Sequence, residues 1–182
     1  MTDAARLQKR IDDLASIGGD GTAVTRLGLS ALEQQARDLV AEWCAPHAES
    51  TRRDAAGNLY VRFAGERPND PVVLVGSHAD SVPEGGRFDG ALGVCCAVEA
   101  VISLKERGVR FKRPVEVVAW ADEEGARFGL GLFGSSAAFD RLPPVTSELV
   151  DKDGVTIADA LRALGESGDP TQAARDPKGI RA

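Results

Sequence analysis

Hydrophobic residues recur at helical spacing in the first quarter of the chain. Between Leu7 and Leu14 they return every third or fourth residue and are followed by the Gly18-Gly19 pair, which predicts an amphipathic helix that stops at the glycines. A second helix is predicted to begin at Ser30, with Glu33 three residues later as its capping-box partner. The expected buried stripe of this helix consists of Leu32, Ala36, Leu39, Val40 and Trp43.

Two short apolar runs predict buried strands on either side of a helix. Val72–Val75 is apolar at every position, which suits the interior of a parallel sheet covered on both faces by helices. The small and apolar residues between Gly90 and Gly108 predict a buried helix with Asp89 as its N-cap. Val115–Trp120 predicts the second strand. Strand, helix and strand in this order form a βαβ unit, so the sequence predicts an α/β fold with a mostly parallel sheet flanked by helices.

The remaining segments carry weaker signals. A turn at Gly57-Asn58 is expected to lead into an alternating strand that ends near Gly65. Short helices are predicted in "FGSSAAFDRL" and in "DGVTIADALRALG", the second with Thr156 and Asp159 as its capping pair. The polar tail that follows is expected to contribute no core residue except Ile180.

Composition narrows the class of protein. The 182 residues suit a single domain, and 43% hydrophobic with 27% charged residues is a soluble globular composition. A net charge of −6 argues against a nucleic-acid or anionic-membrane partner. The N-terminus lacks a signal-peptide pattern, and no apolar stretch has the length of a membrane span. Cys44, Cys95 and Cys96 are expected to be buried free thiols, which predicts a cytoplasmic protein.

Both predicted strands end in groups that bind cations. These groups are His78, Asp80 and Asp89 after the first strand, and Asp122, Glu123 and Glu124 after the second. If the strands are neighbours, their carboxyl ends bring these side chains to one edge of the sheet. Crowded carboxylates repel one another unless a cation lies among them, and a mixed imidazole–carboxylate set suits Zn²⁺, Mn²⁺ or a similar ion. A metal bound by this set could lower the pKa of a water molecule, so the set is compatible with a metal-dependent hydrolase.

Each of these residues also has an ordinary structural explanation. A single histidine after a strand is usually a structural residue, Asp89 is suited to cap a helix, and a Glu-Glu pair is more often part of a solvated loop. His47, the other histidine, follows a predicted helix and has no neighbours that suggest a site. The residues alone therefore leave a metal hydrolase and a purely structural domain both open.

Two long motifs resemble a known family. "GSHADSVPEGGRFDGALGV" and "VEVVAWADEEGARFGLGLFGS" resemble the hydantoinase/carbamoylase branch of the di-metal peptidase superfamily that includes carboxypeptidase G2. That branch holds N-carbamoyl-L-amino acid hydrolases, β-ureidopropionases and allantoate amidohydrolases. The similarity also covers "VTRLGLS" and "DAAGNLYVRFAG", and so nearly the whole chain. It implies hydrolysis of a carbamoyl, ureido or related amide C–N bond in a small-molecule substrate, with two divalent metal ions as cofactors.

The resemblance also assigns roles to single residues. It implies that His78 ligates one metal, that Asp89 bridges both, and that Glu124 ligates the second. Glu123 would be the general base, which takes a proton from the attacking water and passes it to the leaving nitrogen. Asp80 would hold the imidazole of His78 in its metal-binding tautomer.

Members of this branch are considerably longer than this chain. The resemblance implies that residues 1–182 correspond to the N-terminal part of the catalytic domain, without the lid domain that carries the homodimer contacts and without further metal-ligating histidines. We therefore expect an incomplete metal site, exposed apolar sheet surface and no turnover by this chain alone. The alternatives are an aminoacylase or peptidase of a neighbouring branch, and a non-catalytic truncated product. The native metal and the particular ureido substrate stay open at this point.

Overall fold

The chain forms a five-stranded sheet with helices packed against it. A computed structural model describes residues 2–20 and 23–181. The helices are α1 (Ala4–Ser16), α2 (Ala31–Cys44), α3 (Ala91–Glu106), α4 (Phe133–Ala138) and α5 (Ile157–Ala163). The strands are β1 (Ala23–Val24), β2 (Ser50–Arg53), β3 (Leu59–Phe63), β4 (Val72–His78), β5 (Gly85–Gly86), β6 (Val115–Trp120) and β7 (Ile180–Arg181).

The order of strands in the main sheet is β2-β3-β6-β4-β7. β4 runs parallel to both β6 and β7, whereas β3 runs antiparallel to both β2 and β6. The predicted α/β fold class is confirmed, with a sheet that is mixed and parallel only in its β6-β4-β7 half. The other half is antiparallel because β2 and β3 are joined by the short turn at Gly57-Asn58, and so short a connection can only form a hairpin.

The two central parallel strands differ in how well they are covered. β6 has the predicted bounds, and its residues Val117, Val118 and Ala119 are buried. In β4, however, the exposed fractions of Val73 and Val75 are 40% and 39%, so the prediction that both faces are covered is wrong. β7 pairs only with the first two residues of β4, and the rest of that edge has no strand beside it among residues 2–20 and 23–181. Apolar sheet surface is thus exposed, as the resemblance implied.

Helix starts follow the predicted capping chemistry, with one exception. The Ser30 hydroxyl accepts the N–H of Glu33 at 3.2 Å, and the Thr156 hydroxyl accepts the N–H of Asp159 at 3.0 Å, as predicted. The predicted capping box at Ser30 is only half formed, because the Glu33 carboxylate accepts the N–H of Leu29. Asp89 does not cap α3, whose N-cap is Gly90 with no side-chain hydrogen bond. That prediction is wrong, and the carboxylate of Asp89 is left available for other contacts.

Two burial predictions on the helices are wrong. Leu32 is 40% exposed because the buried stripe of α2 is displaced by one residue. The buried positions are Glu33, Ala36, Arg37, Val40 and Cys44. Glu33 and Arg37 occupy the interior as an ion pair, and this pairing allows two charged side chains to take positions that the pattern assigned to apolar ones. Cys96 lies on the exposed side of α3, whereas Cys44 and Cys95 are buried free thiols as predicted.

The polar tail contributes more to packing than predicted. Ala173, in a short 3₁₀ turn (Pro170–Ala173), is buried in a hydrophobic cluster that also contains Phe133 of α4. Arg175 donates to Glu116 of β6 at 2.9 Å, and Ile180 is only half-buried in β7. The tail is therefore held by a buried alanine, by an ion pair to β6 and by the short strand β7.

The hydrophobic core consists of two clusters that meet near the ends of the central strands. One lies between α1, α2, α3 and the sheet and includes Ala79, directly after β4. The other surrounds α4 and α5 and includes Ala121, directly after β6. Within the described part of the chain, no helix has the length and apolar character needed to cross a membrane.

Candidate metal centre

The candidate site is built on the carboxyl ends of β4 and β6. His78 is the last residue of β4 and pairs with Trp120, the last residue of the parallel strand β6. The segments that follow the two strands therefore leave the sheet side by side, at the edge where ligands bind in α/β folds. The expectation that the two strands are neighbours is confirmed.

Three potential metal ligands converge at this edge. One ligand atom from each of His78, Asp89 and Glu124 lies within 4.8 Å of the other two. The Nε2 atom of His78 is 3.8 Å from Asp89 Oδ1 and 3.5 Å from Glu123 Oε2. The imidazole is almost buried, while the side chain of Asp89 is 74% exposed. One imidazole and two carboxylates at this spacing are a donor set that fits a divalent ion such as Zn²⁺ or Mn²⁺.

Asp80 connects the ends of both strands. It is buried, and its Oδ1 atom lies 3.3 Å from the Nδ1 atom of His78. The same carboxylate accepts the backbone N–H groups of Glu123 at 3.1 Å and of Glu124 at 3.0 Å. Because the Nδ1 side of the imidazole faces Asp80, its Nε2 atom faces the acidic cluster.

The charges at the site perturb one another. Burial opposes protonation of His78, but the carboxylates of Asp80 and Glu123 outweigh it and raise the pKa of His78 to about 9. Burial raises the pKa of Glu124, and the negative charges of Asp89, Asp80 and Glu123 raise it further, although His78 opposes them. Burial and the surrounding carboxylates thus act in the same direction on Glu124.

Gly90 allows Asp89 to approach the histidine. Its φ of +63° is one that glycine adopts freely, and a Cβ atom at this position would lie 2.4 Å from ring atoms of His78. The carbonyl of Asp89 accepts the N–H of Ala91 at 2.6 Å, which turns the chain directly into α3. A glycine is thus required between the exposed carboxylate and the start of the helix.

Not every acidic residue considered from the sequence belongs to this cluster. Asp122 is buried, and neither of its carboxylate oxygens has a hydrogen-bond partner. Burial and the nearby charges of Glu33 and Asp80 raise the pKa of Asp122 to about 8. Its carboxylate lies against Gly28, away from the three ligands. His47 is also outside the cluster.

Comparison with known families identifies the family of this chain. The family model of peptidase family M28 matches residues 58–165, which include both strands and all five predicted site residues. The chain belongs to peptidase family M28.

Relatives of this M28 chain include enzymes named for carbamoyl and ureido compounds. The N-carbamoyl-L-amino acid amidohydrolase of Geobacillus stearothermophilus is 45% identical over 100% of this chain and 45% of its own length. The ureidoglycolate hydrolase of Arabidopsis thaliana is 34% identical over 92% of this chain and 36% of its own length.

The chain is also similar in structure to a hydantoinase/carbamoylase family amidase. A hydantoinase/carbamoylase family amidase from Burkholderia ambifaria superposes with a TM-score of 0.88 at 38% identity, over 96% of this chain and 43% of that one. The resemblance to the hydantoinase/carbamoylase amidases is confirmed. The chain spans less than half the length of each of these three relatives.

Two buried charged residues near this M28 site were not predicted from the sequence to contact it. Arg26 donates from Nε to the carbonyl of Ala79, between His78 and Asp80, and Glu33 accepts the backbone N–H of Asp122. The spacing of Glu33 and Arg37, four residues apart on a helix, was the available signal for a buried ion pair. No comparable local signal exists for Arg26, whose partners lie in other segments.

Proposed function

We propose that this M28 chain carries the catalytic base and three metal ligands of a metal-dependent amidohydrolase. The proposed reaction is hydrolysis of a linear C–N bond in an N-carbamoyl amino acid, a ureidopropionate or an allantoate-like compound. The observation that carries the proposal is the convergence of His78, Asp89 and Glu124, with Glu123 beside them and Asp80 behind the imidazole. The names of the relatives support the substrate class. Residues 1–182 would form the N-terminal part of the catalytic domain.

The proposal places a pair of divalent ions at the three ligands. His78 and Asp89 would hold one ion, and Asp89 and Glu124 the other. When bound, such ions lower the pKa of water and stabilise the negative charge that develops on the substrate carbonyl. The carboxylate of Asp89 suits a bridging role, because it is exposed and free of the capping bond that its position before α3 would otherwise favour.

Glu123 is the residue proposed to move the proton. Its carboxylate is 29% exposed and lies 3.5 Å from the Nε2 atom of His78, so it is open to water beside the ligands. It would take a proton from the attacking water and deliver it to the leaving nitrogen. Asp80 would keep the Nδ1 side of His78 occupied, so that Nε2 faces the ion.

The cellular setting forms part of the same proposal. We propose a cytoplasmic enzyme that acts on a small molecule and assembles as a homodimer, as the family resemblance implies. The free thiols of Cys44, Cys95 and Cys96 support a reducing compartment.

Two matched substitutions in the full-length protein test the roles of the adjacent glutamates. Glu123→Gln should lower kcat about 100-fold to 10,000-fold, the usual range for loss of a general base, with the metal content unchanged. Glu124→Gln should instead reduce the metal content, because it removes a proposed ligand. Ammonia release from N-carbamoyl-L-amino acids, ureidopropionate and allantoate gives the activity, and elemental analysis gives the metal content.

The same assay separates the proposal from its alternatives. Loss of metal in Glu123→Gln, with metal retained in Glu124→Gln, would show that the two roles are reversed. Cleavage of dipeptides or N-acetyl amino acids, without ammonia from any carbamoyl or ureido compound, would replace the proposed substrate class by that of an aminoacylase or peptidase.

A further inference from the structure

Two buried carboxylates bind three consecutive backbone N–H groups after β6. Asp80 accepts those of Glu123 and Glu124 at 3.1 and 3.0 Å. Glu33, which belongs to α2, accepts that of Asp122 at 3.0 Å. The segment that carries the proposed base and a proposed ligand is therefore attached both to the end of β4 and to a helix distant in sequence.

The carboxylate of Glu33 is a buried acceptor of two backbone hydrogen bonds. It is fully buried, and its other carboxylate oxygen accepts the N–H of Leu29 at 2.7 Å. The Nη1 atom of Arg37 lies 2.6 Å from Oε1 of Glu33, and the side chain of Arg37 is also fully buried. Burial raises the pKa of Glu33, and the buried guanidinium of Arg37 beside it opposes this shift. In either protonation state the carboxyl oxygens accept the two backbone N–H groups.

The residue that Glu33 binds has an unusual backbone conformation. Asp122 has a φ of +45°, in a region that residues other than glycine seldom adopt. Such a conformation persists only where its surroundings hold it. The bond to Glu33 holds the N–H side, and the N–H of Phe133 donates to the Asp122 carbonyl at 3.2 Å. Gly28 leaves room for the side chain, since a Cβ atom there would lie 1.9 Å from Asp122 Oδ1.

We propose that Glu33 is a positioning residue of the metal centre. Through the N–H of Asp122 it sets the direction in which the chain leaves β6, and so places the carboxylates of Glu123 and Glu124 toward His78. Asp80 binds only the N–H groups of Glu123 and Glu124. Without Glu33, the N–H of the strained residue Asp122 would therefore lose its acceptor. The inference rests on the metal site of the proposed function and adds a residue of α2 to it.

A double substitution in the full-length protein tests this role. Glu33→Leu with Arg37→Met removes the acceptor together with the cation beside it, so that Arg37 is not left buried without its partner. The matched control is Glu99→Leu with Arg10→Met, which removes another buried pair, 2.6 Å apart, that joins α1 to α3 away from the metal ligands. Each variant is titrated with Co²⁺, and its visible absorption spectrum at saturation is recorded alongside its urea unfolding curve.

The Glu33 variant should bind Co²⁺ about tenfold more weakly than the wild type, within the usual range for loss of an outer hydrogen-bond partner, and its Co²⁺ spectrum should change. The control should keep the wild-type affinity and spectrum even where it unfolds at a lower urea concentration. If the double variant does not fold, Glu33→Gln is compared with Glu99→Gln in the same way.

The possible failures are distinguishable. Wild-type Co²⁺ affinity and spectrum in the Glu33 variant would overturn the positioning role and leave the proposed function intact. An equal loss in the control would also overturn it, because the effect would then follow from general destabilisation. Absence of Co²⁺ binding in the wild type would overturn the proposed metal centre and this inference with it.

Discussion

Two clusters of ionisable side chains in this molecule differ in how their charges are balanced. The helix cluster, between α1 and α3, consists of Arg6, Arg10, Glu99 and Glu106. The strand-end cluster consists of His78, Asp80, Asp89, Glu123 and Glu124. The first matches two carboxylates with two guanidinium groups, whereas the second gathers four carboxylates around one imidazole. The helix cluster is therefore complete in itself, and the strand-end cluster is suited to an added cation.

The pKa values of individual carboxylates follow this difference in charge balance. Burial alone would raise the pKa of Glu99, but hydrogen bonds from Arg6 and Ser103 outweigh it and lower that pKa to about 2. In the strand-end cluster the pKa of Glu124 is raised. A carboxylate stabilised in its charged form contributes to folding, while one crowded by like charges gains stability when a cation binds. The comparison separates a cluster that is stabilised by its own ion pairs from the cluster that we propose binds metal.

Removal of the central carboxylate of the helix cluster should have the largest effect. Glu99→Ala leaves Arg10 buried without its partner, so we expect the free energy of unfolding to fall by about 3–5 kcal/mol. Urea unfolding measures this loss. Metal affinity of the folded protein should be unchanged, and a parallel loss of metal binding would show that the two clusters are not independent.

Removal of the imidazole from the strand-end cluster should act on the metal instead. His78→Ala should weaken binding of Mn²⁺ or Zn²⁺ by about 100-fold or more, since loss of a ligand exceeds the usual cost of losing an outer partner. His47→Ala is the matched control, because it removes the chain's other histidine, which lies outside the cluster. Isothermal titration calorimetry measures the metal affinity of both variants. Equal affinities in His78→Ala and His47→Ala would show that His78 is not a ligand.

Acid should weaken the helix cluster by a smaller amount. The pKa of Glu99 is about 2 in the folded protein and near 4.5 ordinarily, so its charge stabilises the fold above about pH 4.5. This contribution, on the order of 2 kcal/mol, should be lost as the pH falls toward 2. The difference in unfolding free energy between wild type and Glu99→Gln should shrink over that interval. A difference independent of pH would contradict the assigned pKa.

Local patterns predicted the framework of the fold and the edge of the sheet at which the candidate site residues converge. The apolar run of β6 gave its bounds because a buried strand needs a continuous hydrophobic segment. Side chains directly after two adjacent parallel strands must share one edge of the sheet, so the sequence order alone brought His78 and Glu124 together.

Contacts between distant segments account for what the sequence did not reveal. Asp89 has the position of an N-cap but not that role, because Gly90 turns the chain at the histidine. Leu32 is exposed and its neighbour Glu33 is buried instead. Glu33 is stabilised in the interior by Arg37 and by the backbone N–H of Asp122 in another segment. Val75 is exposed although its run is apolar. The burial of a strand depends on which elements pack beside it, and an apolar run does not specify those elements.

The most direct test of the central claim is anomalous X-ray diffraction from crystals of the full-length protein soaked with Mn²⁺. We expect an anomalous peak within bonding distance of His78, Asp89 and Glu124, and none at the helix cluster. The absence of a peak at these three residues, with Mn²⁺ bound elsewhere or not at all, would contradict the assignment of the strand-end cluster as the metal centre.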